Sequence, residues 1–266
     1  PLPNLRRLNV SYCTNLMEVP NFVEAINLEQ LKLQGCVQLK QIHPSIGHLR
    51  KLTFLSLEDC KSLVSLPNSI LELSSLECLS LFGCSKLYNV HLENLRIGEA
   101  PSFSPSTFSF IKKLLPWPSV ASDKSFEDAH KDSVRCLLHS LPIFSCMREV
   151  DLSFCNLLKI PDAFENFHCL EMLSLRGNNF ETLPSLKELS KLLLLNLQHC
   201  KRLKYLPELP LRTDLRLQSR YEPRWQWRCV QNDERVLGLN SFNCPELVER
   251  DCYTSMCLSW MMQMVQ

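Results

Sequence analysis

Leu52-Thr-Phe-Leu55-Ser-Leu57-Glu-Asp-Cys60-Lys-Ser-Leu63-Val-Ser-Leu66-Pro67 sets one cysteine among charged and polar neighbours, with leucines at fixed offsets on either side. The order L-x-x-L-x-L-x-x-C recurs from Leu5, where Val10 is a local variant, and from Leu28, Leu52 and Leu76, and again from Met147, Leu170 and Leu192, with Met147, Val150 and Asn178 as local variants. Successive starts are 23, 24 and 24 residues apart in the first block, and 23 and 22 in the second. A period of that size marks a chain of stacked supersecondary units, none of which can bury its apolar face alone.

Each unit supplies a short strand, a residue at the cysteine position, then x-x-L-x-x-L-P or a close variant, and a turn of helix such as Pro67–Leu73. The expected fold is therefore α/β: a leucine-rich-repeat solenoid, or horseshoe, with a parallel concave sheet. The rung position carries Cys13, Cys36, Cys60, Cys84, Cys155, Asn178 and Cys200. A site that accepts either Cys or Asn calls for a small side chain that donates a hydrogen bond to buried carbonyls in an apolar setting. Disulfides between rungs are disfavoured, because parallel strands about 4.8 Å apart carry side chains that point the same way, which holds Cβ atoms beyond the roughly 3.8 Å a bridge prefers. With 14 cysteines in the chain, free thiols indicate a reducing compartment, and the expected location is cytoplasmic or shared between cytoplasm and nucleus.

Four segments are expected: leucine-rich repeats over 1–90, an irregular insert or degenerate repeats over 91–146, repeats again over 147–217, and a short, incomplete post-repeat segment over 218–266. The insert has Pro101, Pro105, Pro116 and Pro118 among serines, and then a helical rhythm at Val134, Leu137, Leu138 and Leu141. Leu215–Leu217 is the last strand the pattern offers, and Cys257, Trp260, Met261, Met264 and Val265 fit one face of a terminal helix. The chain opens at Pro1 without a basic-then-apolar leader, which reads as a piece of a longer protein.

Composition narrows the function. With 45% hydrophobic and 21% charged residues over 266 positions, the chain can bury a full core. A net charge of +1, from 29 basic and 28 acidic side chains, exerts no long-range pull toward nucleic acid or anionic lipid. No nucleotide-binding glycine loop occurs, no stretch is long enough to span a membrane, and no cofactor is expected. Cys136-x-x-His139 with Cys146, and Cys252-x4-Cys257, lack a second complete pair for zinc. Tyr221, Trp225 and Trp227 alternate with arginines in RYEPRWQWR and could stack on bases, but arginine stems covering aromatic faces at the end of a core are commoner. The scattered histidines share no nucleophile or carboxylate, so the chain does not read as an enzyme.

A leucine-rich solenoid usually meets its partner through the strand residues that point away from the buried leucines. By register these include Arg7, Lys32, Phe54, Glu58, Phe82, Glu149, Asp151, Met172, Arg176 and Asn196, which are the expected protein-binding positions. Phe54 and Phe82, exposed on such a sheet, would suit a protein contact.

LSLEDCKSLVSLPNSILELSSLECLSLFGCSKL, the GNNF unit at 177–180, and the segments FNCPELVER and CLSWMMQMVQ together resemble the leucine-rich region of plant TIR-NBS-LRR disease-resistance proteins. The resemblance implies an intracellular immune receptor whose repeats recognise a pathogen effector or a guarded host protein. They would also restrain an upstream nucleotide-binding domain by intramolecular contact. That domain and the NAD-cleaving TIR domain of such receptors match nothing in this chain. The competing reading is the substrate-recognition repeats of an F-box-type or Ras-group-like interaction protein. F-box repeats, however, run longer and do not follow the cysteine with L-x-x-L-P.

Overall fold

The computed structural model describes residues 2–87, 145–160, 162, 164, 167–210 and 238–247. Among them eight three-residue strands form one parallel sheet in sequence order. These are β1 (Arg7–Asn9), β2 (Gln30–Lys32), β3 (Phe54–Ser56), β4 (Cys78–Ser80), β5 (Glu149–Asp151), β6 (Met172–Ser174), β7 (Leu194–Asn196) and β8 (Gly238–Asn240). The fold is the leucine-rich-repeat solenoid that the spacing predicts.

Register follows the period. Leu8, Leu31, Leu55, Leu79, Val150, Leu173, Leu195 and Leu239 stand side by side as one column. Because strand side chains alternate between faces, this column points into the core and its two flanking columns point to the concave face. Within a middle unit the repeat leucines vanish from solvent: Leu52, Leu55, Leu57 and Leu63 are all buried in one continuous cluster. Each such leucine removed from water contributes about 1.5–3 kcal/mol, so stacking supplies the driving force that one rung lacks.

The strand β4 pairs directly with β5, although residues 88–144 separate them in sequence. Leu81 and Gly83 N–H groups donate to Asp151 and Ser153 carbonyls at 2.8 Å, and Arg148 N–H donates to Glu77 O at 2.8 Å. The solenoid is thus continuous across the interval. The expected helix at Val134–Leu141, the Leu215–Leu217 strand, RYEPRWQWR and the terminal helix lie outside the described residues. So do the cysteine–histidine spacings, apart from Cys146.

Two findings correct the sequence reading. The turns of helix are 3-10 turns, Pro44–His48 and Asn68–Glu72, packed on each other with Ile46 and Ile70 buried beneath them. The Pro at the start of each fixes the backbone for a tight turn, and Leu49 and Leu73 close it after five residues. The second concerns β8, which lies in the stretch assigned beyond the repeats. Its unit, Val236-Leu-Gly-Leu239-Asn-Ser241-Phe-Asn-Cys244, has Val at the first apolar position and Ser at the third, which hides it from a leucine-based pattern.

Candidate protein-binding faces

Each strand ends in the same corner. The residue before every rung position has a left-handed backbone: Tyr12, Gly35, Asp59, Gly83, Phe154, Gly177, His199 and Asn243, with φ between 53° and 72°. A four-residue turn results, in which Cys36 N–H donates to Leu33 O and Cys60 N–H to Leu57 O, both at 3.2 Å. Each of these carbonyls has a second lone pair, and the next rung fills it. The Cys60 thiol donates to Leu33 O at 3.2 Å, Cys84 to Leu57 O at 3.1 Å and Cys155 to Leu81 O at 3.0 Å. Cys36 reaches Val10 O at 3.3 Å, Cys200 reaches Leu175 O at 3.3 Å, and Cys244 reaches Leu197 O at 3.1 Å.

Asn178 does the same work with more bonds. Its amide donates to Leu152 O at 2.9 Å and Leu175 O at 2.7 Å, and its Oδ1 accepts from Leu157 N–H at 3.0 Å. Burial pushes the Cys60 thiol up to about 12 and Cys200 to about 11, and raises Cys84 and Cys155 well above the usual thiol range. These groups stay protonated, as a donor must, and are poor nucleophiles. The described cysteines are all free. Cys13 departs from the set: it is exposed on the first rung. Cys244 is a rung that the pattern missed, and the signal was Leu239 five residues before it, the spacing of Leu55 and Cys60.

The concave face is not uniformly open, contrary to the expectation that its residues point to solvent. Phe54 is 5% exposed, and Glu58, Glu149, Asp151, Met172 and Asn196 are likewise buried. Phe82 and Arg176 are half-buried. The inward curve crowds neighbouring rungs, and Phe54, Glu58, Glu149 and Asp151 each take part in further interactions within the chain. Lys32 Nζ also sits over the Phe54 ring, 5.5 Å from its centroid. The open part of the face is its first two rungs, where Arg7 and Asn9 are exposed and Gln30, Lys32 and Gln34 half-buried.

A second surface runs along the corner where strands end. Phe82 and Phe154 meet edge to face at 5.3 Å, the Arg176 guanidinium lies 5.3 Å from the Phe154 centroid, and His199 meets Phe242 edge to face at 6.1 Å. Asn243 Nδ2 lies 2.7 Å from His199 Nδ1. Phe154, His199 and Phe242 were not singled out from the sequence; their common signal is the pair of positions just before each rung residue.

No group of three or more His, Cys, Asp or Glu among the described residues is arranged to hold a metal ion. No helix among them is long and apolar enough to cross a membrane.

Residues 146–167 match the family model described as Leucine Rich Repeat. The chain is 36% identical over 211 residues to Disease resistance protein RML1B of Arabidopsis thaliana, covering 79% of this chain and 18% of that protein. It is 29% identical to TMV resistance protein N of Nicotiana glutinosa, covering 79% of this chain and 25% of that one. The chain therefore spans about a quarter or less of the curated relatives it matches along most of its length. Among solved structures it is similar to internalin C2 of Listeria monocytogenes, with 16% identity, a TM-score of 0.41 and coverage of 75% of this chain and 70% of that one. A strand, a left-handed corner and a cysteine or asparagine rung recur through the sheet: the chain is a leucine-rich-repeat solenoid, similar in sequence along most of its length to plant proteins named for disease resistance.

Proposed function

We propose that this chain is the recognition module of an intracellular plant immune receptor of the TIR-NBS-LRR type. It binds a pathogen effector or a guarded host protein, and in the resting receptor it holds the nucleotide-binding domain inactive. The reading rests chiefly on kinship with disease-resistance proteins along 79% of the chain. The solenoid adds a physical reason: its core is made by buried repeat leucines, so exposed side chains on the rungs are free to vary with the partner. Chemistry upstream of recognition would belong to other parts of such a receptor, and this module would act by binding alone, in the cytoplasm or between cytoplasm and nucleus.

Contact is expected first at the open rungs around Arg7, Gln30 and Lys32. The test is to introduce Arg7→Glu and Lys32→Glu together into the full receptor and score effector-triggered cell death beside protein accumulation in leaves. Loss of the response at normal accumulation, without death in the absence of effector, is the expected result. A full response would move recognition off this face. Death without effector would assign these residues to restraint instead.

A further inference from the structure

Five side chains from five successive rungs line the rim where strands β4 to β8 end, as a group of three and a pair. Phe82, Phe154 and Arg176 touch in that order, and on the next two rungs His199 touches Phe242. Two features of the strip lack a partner. Phe242 is 71% exposed, a large apolar surface to leave in water. The Arg176 Nε is buried without a hydrogen-bond acceptor among the described residues. Other arginines do better: Arg6, Arg50, Arg148 and Arg202 each pair with a glutamate of a neighbouring rung.

The Nε is sealed from solvent, but the side chain as a whole is half-buried over an aromatic ring, so its guanidinium is partly stripped of water and an acceptor arriving at the exposed side would make a charge-assisted bond. Positive charge gathers here. After burial, Arg176 and Lys201 are what hold His199 below the usual imidazole range. The complementary group is therefore anionic, and the flanking rings call for apolar atoms on both sides of it. A single guanidinium on a chain of net charge +1 does not offer the run of cations that a phosphate backbone requires, whereas one carboxylate between apolar side chains matches it.

We propose that this rim binds a segment of a partner protein in which an Asp or Glu side chain reaches the Arg176 guanidinium while adjacent apolar residues pack on Phe82 and Phe242. The proposal rests on the module being a protein-recognition surface and adds the chemistry of what it takes and where.

The experiment pans phage-displayed random peptides against the immobilised full-length receptor, and then measures binding of the selected peptides to the wild type and to Arg176→Gln, Arg176→Lys and Phe242→Ala. Selected peptides should carry Asp or Glu beside Phe, Leu or Trp, and Arg176→Gln should weaken them about tenfold or more, the usual worth of a charge-assisted bond. Arg176→Lys, which keeps the charge but not the planar fork, should fall between. Phe242→Ala removes an exposed ring and so tests the strip without touching the core. Peptides without acidic enrichment, or acidic peptides that bind Arg176→Gln as well as wild type, would overturn the proposal. So would displacement of the selected peptides by a single-stranded RNA oligonucleotide at equal concentration. A receptor that selects acidic peptides through Arg176 but ignores the Arg7 and Lys32 changes in leaves keeps the rim and loses the open-rung reading; the reverse result does the opposite.

Discussion

Cys60 shows what one residue contributes. It is fully buried between charged neighbours in sequence, and its thiol closes a carbonyl that the turn of the preceding rung leaves half satisfied. Cys60→Ser keeps the donor, so it should cost less than Leu57→Ala, which opens a core cavity worth about 2–5 kcal/mol; urea unfolding of both variants ranks them. Asn178→Ala removes three bonds and strands Leu157 N–H and Leu152 O, while Leu175 O keeps the Cys200 thiol, and about 3 kcal/mol is expected at that rung. The rung thiols also link stability to pH. A thiol whose pKa rises on folding holds its proton more tightly in the native chain. Its contribution is full below the unfolded value near 9.0 and is lost as pH rises toward the folded value. Between pH 9 and about 11, Cys60 and Cys200 should each lower the unfolding free energy by up to about 1.4 kcal/mol per pH unit. Denaturant midpoints across that window, compared with the double Cys60→Ser, Cys200→Ser variant, should show the flatter profile in the variant. The need for a small donor was legible in the alternation of Cys with Asn. The identity of its acceptor was not, because that carbonyl lies one rung back and more than 20 residues away.

The repeating element is the strand with its left-handed corner. Gly177, at φ 66°, lies under the Phe154 ring of the preceding rung, and a Cβ there would run into that ring. Gly177→Ala therefore meets backbone strain and a clash together. A loss of about 1–3 kcal/mol is expected, together with displacement of Phe154 from Arg176, visible as a changed ring environment by NMR. Seven of the eight strands fall where L-x-x-L-x-L places them, since alternation decides which side chains face the core. β8 escaped because Val and Ser stand in for leucines, although Leu239, Cys244 and Leu247 still pack against the core. The direction of Phe54, Glu149 and Asp151 was also legible, but their burial was not: periodicity says which way a side chain points and nothing about what meets it there.

At the scale of the whole molecule, the thiols report whether the rungs act as one body. A stacked solenoid couples nearest neighbours, and the β4–β5 pairing makes 2–87 and the repeats from Met147 onward a single stack in spite of the 57 residues, 88–144, between them. The bond from Cys155 Sγ to Leu81 O crosses that joint. Native-state thiol labelling, read site by site by mass spectrometry at rising urea, measures the coupling. Cys13 and Cys146 should label at once, while Cys36, Cys60, Cys84, Cys155 and Cys200 should become reactive together over one transition. Separate transitions for Cys60 and Cys84 on one side and Cys155 and Cys200 on the other would show that the joint does not form, and with it the continuous face on which both binding surfaces depend.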